Sequence, residues 1–294
     1  MLLQEKMKTT KFSPSEAVVV QFILEKQDQI EKYTTTLIAG ETYTSPSVLV
    51  RISKKLGFNG FNELKKAFLD EVYYLRNHFS DFDANLPFLS TESIMNIASI
   101  ITKLKQESLN DTLSLIHHDT LQKSIRMMQK AESIKVFAIS NLTFQAEEFV
   151  FKLRHIGFKA ETYSINNTLY QEAKMTTSKD CAICISYSGE SGELISATEI
   201  LKKNHVPIIA ISSVGENSLT RLADVHLQMT TREKSYSKIA GFTSLESISL
   251  LLDILYSCLF RTDYYKHYDF KVQLSQATEY RNIQNEIIQE NKGE

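Results

Sequence analysis

Apolar residues recur at helical spacing through the first quarter of the chain, where turn signals are closely placed. Ser13-Pro14-Ser15-Glu16 predicts a helix start, with Ser13 at the N-cap, Pro14 in the first turn and Glu16 reaching back to close a capping box. Val19, Val20, Phe22 and Ile23 carry that helix to about Glu25. A short helix is expected over Gln29–Tyr33 and another over Thr35–Gly40, followed by a turn at Thr42-Tyr43-Thr44. Ser45-Pro46 then opens a helix with Val48, Leu49, Ile52 and Leu56 apolar and Ser47, Arg51, Lys54 and Lys55 polar. Gly57 supplies the left-handed residue that commonly ends a helix. Phe58 and Phe61 flank a second turn glycine, Gly60, and a last helix is expected from about Asn62 to Asn77.

From Phe79 to Pro87 the periodicity lapses, and helical spacing returns from Thr91 to Lys130 in two or three segments. The pattern then changes kind. Short apolar runs at Ile134–Ile139, Ala160–Tyr163, Cys181–Ser186, Pro207–Ser212 and Val225–Met229 alternate with helical stretches, which predicts a parallel sheet covered on both faces. A helix over Thr243–Arg261 is apolar nearly all round and is expected to be buried, with a subunit interface as one possible site. The expected organisation is a helical domain over 1–78, a linker and connecting helix over 79–106, an α/β domain over 107–270 and a polar helical tail over 271–294.

Composition sharpens this picture in three places. Nine Gly and four Pro among 294 residues leave little room for long loops, and the length suits two domains. The formal net charge is −2 overall. Through residue 78, however, there are 11 basic and 9 acidic residues, against 22 and 26 in the remainder. Between Ser45 and Lys66 five basic residues face Glu63 alone, a local positive surface of the kind that meets phosphate. Cys181 and Cys184 sit three apart on an expected strand and so point to opposite faces, which argues for core residues rather than a metal or redox pair. No metal or cofactor is expected. No apolar run is expected to reach the roughly 18 residues that span a bilayer. The N-terminal stretch lacks the apolar core of a signal peptide, so a cytoplasmic protein is expected.

Two segments carry candidate chemistry. The first is the helix behind Ser45 and Ser47, whose small hydroxyls and free N–H groups permit close approach to a phosphate. Arg51, one turn along, reaches a guanine edge or a phosphate, while Lys54 and Lys55 face the nucleic-acid backbone. Ser45-Pro-Ser-Val-Leu-Val-Arg51-Ile-Ser-Lys-Lys-Leu-Gly57-Phe-Asn-Gly60-Phe-Asn-Glu-Leu-Lys65 resembles the helix-turn-helix domain of RpiR/MurR regulators, as does the opening around Phe12-Ser13-Pro14-Ser15-Glu16. The resemblance implies double-stranded operator DNA as partner, with Ser45, Ser47, Val48, Arg51, Lys54 and Lys55 at the DNA. Tyr43 is a departure, because the turn of such regulators usually carries Gly.

The second segment is Ile185-Ser186-Tyr187-Ser188-Gly189-Glu190-Ser191-Gly192-Glu193, which follows an expected buried strand and opens a helix. Hydroxyls, free N–H groups and the helix dipole converge there into an anion cradle at the carboxyl end of a parallel strand. The string resembles the phosphosugar-binding loop of SIS (sugar isomerase) domains, the second half of RpiR/MurR regulators. Lys152-Leu-Arg-His-Ile-Gly157 and Asn217-Ser-Leu-Thr-Arg-Leu-Ala-Asp224 fit as well. The resemblance implies an all-α helix-turn-helix domain followed by an α/β SIS domain with a five-stranded parallel sheet. It also implies a phosphorylated sugar effector held by Ser186, Ser188 and Ser191; Gly189, which lets the backbone come close, and Glu190 are expected at the same phosphosugar site. The first strand of such domains usually ends in Gly-x-Gly-x-Ser. Here Ala138-Ile-Ser140-Asn141-Leu142 stands in its place, with Ser140, Asn141 or Thr143 as candidate substitutes if the loop shifts by a residue. Three readings are open: a ligand-responsive regulator, a regulator whose α/β domain serves only to form a dimer or tetramer, and a sugar-phosphate isomerase. Glu190, Glu193, Glu246, His155 and His205 are available to an isomerase, but no pairing among them is visible. The DNA-binding segment favours a regulator over an enzyme.

Overall fold

The computed structural model describes residues 2–77, 83–163 and 166–281, together with 284, 287 and 289. The first part of the expected linker and most of the extreme C-terminal tail lie outside the described residues. Helices α1 (Leu3–Thr9), α2 (Pro14–Lys26), α3 (Thr35–Glu41), α4 (Pro46–Lys55) and α5 (Phe61–Asn77) form the N-terminal part, with a 3-10 turn over Gln27–Lys32. They share one core in which Val19, Ile30, Ile38, Leu49, Ile52 and Phe68 are fully buried. The capping box at α2 forms on its acidic side, with the Ser13 N–H donating to the Glu16 carboxylate at 2.9 Å. The short helix expected over Gln29–Tyr33 is instead the 3-10 turn, which begins at Gln27, a non-glycine residue at φ +49°. Helix α1 had no signal of its own. Its Leu3 and Met7 are buried, and the Glu71 carboxylate, from α5, accepts the N–H groups of Leu3 and Gln4.

The connecting helices α6 (Ile94–Ser114) and α7 (His118–Lys130) lead into β1 (Ile134–Ala138), α8 (Leu142–Arg154), β2 (Ala160–Tyr163), α9 (Asn166–Met175) and β3 (Cys181–Ile185). There follow α10 (Gly192–Lys203), β4 (Ile208–Ser213), α11 (Ser218–Leu222), β5 (Val225–Met229), α12 (Phe242–Phe260) and α13 (Tyr264–Thr278). All five strands are parallel, in the order β2-β1-β3-β4-β5. One face packs α7, α8 and α12, and the other packs α9, α10 and α11. Cys181 belongs to the first layer and Cys184 to the second, each thiol pushed up to about 12 by burial. They are core residues on opposite faces.

Strand order fixes where a ligand can sit. The chain leaves β1 towards β2 on one side, then returns so that β3 lies on the other side of β1. The loops after β1 and β3 therefore diverge and leave a crevice at their carboxyl ends. Ala138 pairs with Ile185, which sets Ser140 and Ser186 side by side at its mouth.

Helix α12 is where an expectation is corrected. The run Phe242–Thr278 is long and apolar enough to cross a membrane, with a mean hydropathy of 1.4 in its most apolar window. Within the chain, Ile248, Leu251, Leu252, Leu255 and Leu259 of α12 are buried against the sheet and its flanking helices. One side of the apolar helix thus finds its cover in its own chain, while Leu250, Ile254 and Tyr256 on the rest of it are only half-buried.

The helical part and the α/β part touch. Lys6 Nζ lies 2.6 Å from Glu216 Oε2 and donates to the Leu56 carbonyl, and Tyr74 of α5 reaches Thr230 and Thr231 beyond β5. A cavity of about 610 Å³ lies between the two parts, lined by Tyr74, His117, Glu216 and His226 among others.

Candidate functional site

Helix α3, the turn at Thr42–Ser45 and α4 make a helix-turn-helix corner. The turn closes as a left-handed C-cap: the Thr44 N–H donates to the Ala39 carbonyl at 2.8 Å while Tyr43 takes φ +50°. Tyrosine accepts this conformation with Thr42 Oγ1 tied to the Ile38 carbonyl and to Thr44 Oγ1, at 2.7 and 2.9 Å. Its own ring is 98% exposed. Ser45 and Ser47 are exposed at the start of α4, their hydroxyls 2.7 Å apart.

Two of the expected contacts change. Val48 is 3% exposed and belongs to the helical core, because it shares the apolar stripe of Leu49 and Ile52. Val50, at 42% exposure, takes the outward place between Ser47 and Lys54. Lys55 is engaged within the domain: its Nζ lies 3.0 Å from Glu16 Oε2 and 5.3 Å from the centre of the Phe12 ring. The Ser13 N–H and the Lys55 ammonium together hold the Glu16 carboxyl below its ordinary range. Arg51 is half-exposed with its Nε 3.8 Å from Glu16 Oε1, so Glu16 steers one side of the guanidinium and leaves the rest outward. Lys54 is exposed. Lys65 also turns inward, capping the carbonyls of Glu31 and Tyr33 at 2.7 and 2.8 Å. The outward stripe is therefore Ser47, Val50, Arg51 and Lys54, spaced as one helix face.

The second site is a cavity of about 270 Å³ at the β1/β3 crevice. Ser140 and Asn141 line it from one side, and Ser186, Ser188 and Ser191 from the other. Ser140 adopts φ +58° and its carbonyl accepts Thr143 Oγ1 at 2.7 Å, so the loop after β1 keeps a left-handed turn without glycine. Ser186 is 2% exposed; its Oγ accepts the Gly189 N–H at 3.1 Å and lies 3.2 Å from Ser191 Oγ. Ser188 Oγ is exposed and accepts the Glu190 N–H at 3.2 Å.

Gly189 and Glu190 do not line this cavity. Gly189 sits at φ +68°, and a Cβ there would stand 2.1 Å from the Asn217 side chain. Glu190 Oε1 accepts the Ser218 N–H at 2.9 Å, a donation that holds its carboxyl below the ordinary range. Both lock the loop to α11 rather than face a ligand. Sequence reasoning missed the other wall, made by Ser235, Lys238 and Gly241 from the segment between β5 and α12 and by Ser244 in the first turn of α12. Lys238 brings a cation to the cavity, 4.8 Å from the centre of the Tyr187 ring and 2.9 Å from Glu233 Oε2. Glu233 is buried at the start of α12, where its carboxylate accepts the N–H groups and hydroxyls of Thr243 and Ser244. Burial alone would raise its pKa; donation from Lys238, Ser244 and Thr243 outweighs burial and holds it down.

Comparison with known proteins names both halves. A helix-turn-helix domain model of the rpiR family matches residues 1–73, and a SIS domain model matches residues 127–257. The chain is an rpiR-family helix-turn-helix transcription regulator with a SIS domain. An uncharacterized HTH-type transcriptional regulator of Clostridium perfringens is 26% identical over 272 residues, covering 92% of this chain and 95% of that protein. Among solved structures, the Vibrio vulnificus NanR protein complexed with ManNAc-6P aligns at TM-score 0.58 and 22% identity, covering 94% of this chain and 97% of NanR. The sugar isomerase domain of an RpiR transcription factor from Sphaerobacter thermophilus aligns at TM-score 0.56 and 15% identity, covering 62% of this chain and 99% of that one. These likenesses show the fold.

In the SIS domain of this rpiR-family regulator, none of the acids and histidines open to an isomerase is among the residues that line the cavity. Glu246 pairs with Lys105 at 2.8 Å, and His155 Nδ1 is 2.7 Å from the Phe151 carbonyl at the end of α8. Glu193 and His205 are not among the cavity residues either.

Proposed function

We propose that this regulator binds double-stranded operator DNA through the outward face of α4 and that a phosphorylated sugar, held in the SIS cavity, modulates that binding. The observation that carries the effector reading is convergence. Ser140, Asn141, Ser186, Ser188, Ser191 and Lys238 come from three separate segments and line one cavity at the switch point of the sheet. A phosphate there meets hydroxyl donors, the start of α10 (Gly192–Lys203) and one ammonium group. The similarity to a regulator solved with ManNAc-6P supports the same class of ligand. None of the candidate general bases lines the cavity, which supports regulation rather than isomerisation. The expected place of action is the cytoplasm.

A thermal-shift panel of hexose, amino-sugar and pentose phosphates tests the effector. A saturating ligand at about 100 times its Kd stabilises by roughly 2.7 kcal/mol, a rise of about 5–10 °C in Tm at this size. The shift should require the phosphate and shrink in Ser188→Ala, since a hydrogen bond to a charged group is worth about 1.5–3 kcal/mol. Flat curves with operator binding intact would favour an SIS domain that serves assembly alone. For the DNA face, Arg51→Ala should weaken operator binding by roughly 1–3 kcal/mol if its contact is a bidentate base contact. A dimer or tetramer belongs to this reading, because one helix-turn-helix covers half an operator. Phe144 and Phe151, 68% and 61% exposed on α8, supply apolar surface for it, and light scattering reads the state directly.

A further inference from the structure

The segment Thr230–Gly241, between β5 and α12, touches the effector cavity with one edge and the DNA-binding part with the other. On the inner edge, Tyr187 stands between the two phosphate-loop serines Ser186 and Ser188. Its hydroxyl donates to the Glu233 carbonyl at 2.7 Å and accepts the Glu233 N–H at 3.0 Å. Lys238 lies over the same ring and lines the cavity. On the outer edge, two residues away, the Thr231 N–H donates to the hydroxyl of Tyr74 on α5. The residues that follow the undescribed part of the linker hold the same segment: Asn85 Oδ1 accepts the Lys234 N–H at 2.6 Å and the Asn85 carbonyl accepts the Ile239 N–H at 3.0 Å. Between the two tyrosines, Arg232 anchors the segment to Glu107 and Asp111 of α6.

We propose that Thr230–Gly241 is the strap through which the effector cavity acts on the DNA-binding domain, with Tyr74 and Asn85 as positioning residues for the response. The proposal rests on the phosphosugar reading above. An anion in the cavity attracts the Lys238 ammonium away from Glu233. Lys238 is itself part of the strap, so the strap moves with it and the Glu233 backbone shared with Tyr187 loses one of its charged supports. Tyr187 and Tyr74 grip residues 233 and 231 of one short stretch, so a shift set at the first is felt at the second. Neither Tyr74 nor Asn85 lines the effector cavity or lies on the outward face of α4. Their role is therefore separable from binding either partner. A ligand changes DNA affinity only by its differential affinity for two arrangements of the molecule, and the strap is the element that differs between them.

The experiment uses the full chain and an operator duplex selected from random DNA by the wild-type protein. Operator Kd is measured with and without ManNAc-6P, glucosamine 6-phosphate and inorganic phosphate, and probe Kd is measured by calorimetry with and without operator. In wild type, one probe should shift operator Kd by at least about fivefold, and operator should shift that probe's Kd by the same factor. In Tyr74→Phe and in Asn85→Ala, each partner should still bind alone within about threefold of wild type, while the mutual factor falls below about two. Full coupling in both variants would overturn the strap and leave the phosphosugar reading standing. Loss of operator binding by Tyr74→Phe without any probe would reduce Tyr74 to a folding contact and overturn it as well. If wild type binds none of the probes, the phosphosugar reading fails, and the strap with it.

Discussion

The two candidate sites are built in opposite ways. The α4 face is convex and exposed, and every side chain it offers comes from ten consecutive residues held up by a core behind them. The SIS cavity is concave, and its wall is assembled from loops after β1, after β3 and before α12, roughly a hundred residues apart at the extremes. On α4 a side chain can change without disturbing its neighbours, unless it turns inward as Lys55 does. Around the cavity nearly every polar group is tied to another: Ser186 to Gly189 and Ser191, Tyr187 to Glu233, and Glu233 to Lys238 and the start of α12. Substitution should therefore separate binding from stability on α4 and entangle them at the cavity.

The largest effect should come from the frame of the cavity. Arg232, its side chain 8% exposed, bridges Glu107 at 2.9 Å and also pairs with the buried Asp111. Arg232→Ala should cost about 3–5 kcal/mol in denaturant unfolding, since it leaves buried carboxylate charge uncompensated. Lys54→Ala on α4 should stay within about 0.5 kcal/mol. Equal losses from the two would erase the contrast.

Acid should strike the α/β side next. Burial holds the His226 pKa at about 4 against an ordinary value of 6.5, with Ser212 Oγ 2.9 Å from its Nε2. The unfolded chain takes up a proton below 6.5 that the folded chain refuses until about 4. The stability present above 6.5 is thus lost as pH falls through that window, by about 2 kcal/mol at pH 5. The depressed carboxylates Glu16 and Glu233, with ordinary values of 4.5, lose their contribution only below that range. Chemical denaturation at pH 7.5 and 5.0 measures the loss. His226→Gln should flatten it, and an unchanged slope in that variant would assign the acid sensitivity elsewhere.

A smaller effect divides two adjacent lysines. Lys55→Ala should cost about 1–2 kcal/mol of stability by freeing Glu16 from its charged partner. Lys54→Ala should leave stability alone and flatten the salt dependence of operator binding by about one unit. Anisotropy titrations over a salt series, beside unfolding curves, separate the two. The smallest effect is at the turn. Tyr43→Gly relieves a left-handed tyrosine and should raise stability by about 0.5–1 kcal/mol in urea melts. A loss instead would mean that the exposed ring stabilises the corner.

Much of this architecture was legible because its causes are local. The capping sequence at Ser13–Glu16, the apolar stripe of α4 and the five strand-length runs each announce their element within a dozen residues, and observed ends differ from expected ones by about a residue. Val48, expected at the DNA, is instead buried in the helical core for a reason also present in the sequence. Val48 shares the spacing of Leu49 and Ile52, whereas Val50 shares that of Ser47 and Lys54. Lys55 is different, because nothing in its own helix says that Glu16 lies across from it. Helix α1 was equally hidden, since the carboxylate that caps it belongs to Glu71.

What the amino-acid order determined by itself is the identity of the elements, the opposite facing of Cys181 and Cys184, and the two segments that carry chemistry. Periodicity, caps and hydroxyl spacing act over a few residues and need no knowledge of the rest of the chain. Only the tertiary structure decided that Ser140 restores the turn a glycine would make, that Lys238 completes the cavity, and that Gly189 and Glu190 turn towards α11. It likewise decided which side of α12 is covered within the chain. Each of these depends on strand order, and strand order is set by which apolar faces pack best together over the whole domain. That is a sum over long-range contacts, which no window of sequence contains.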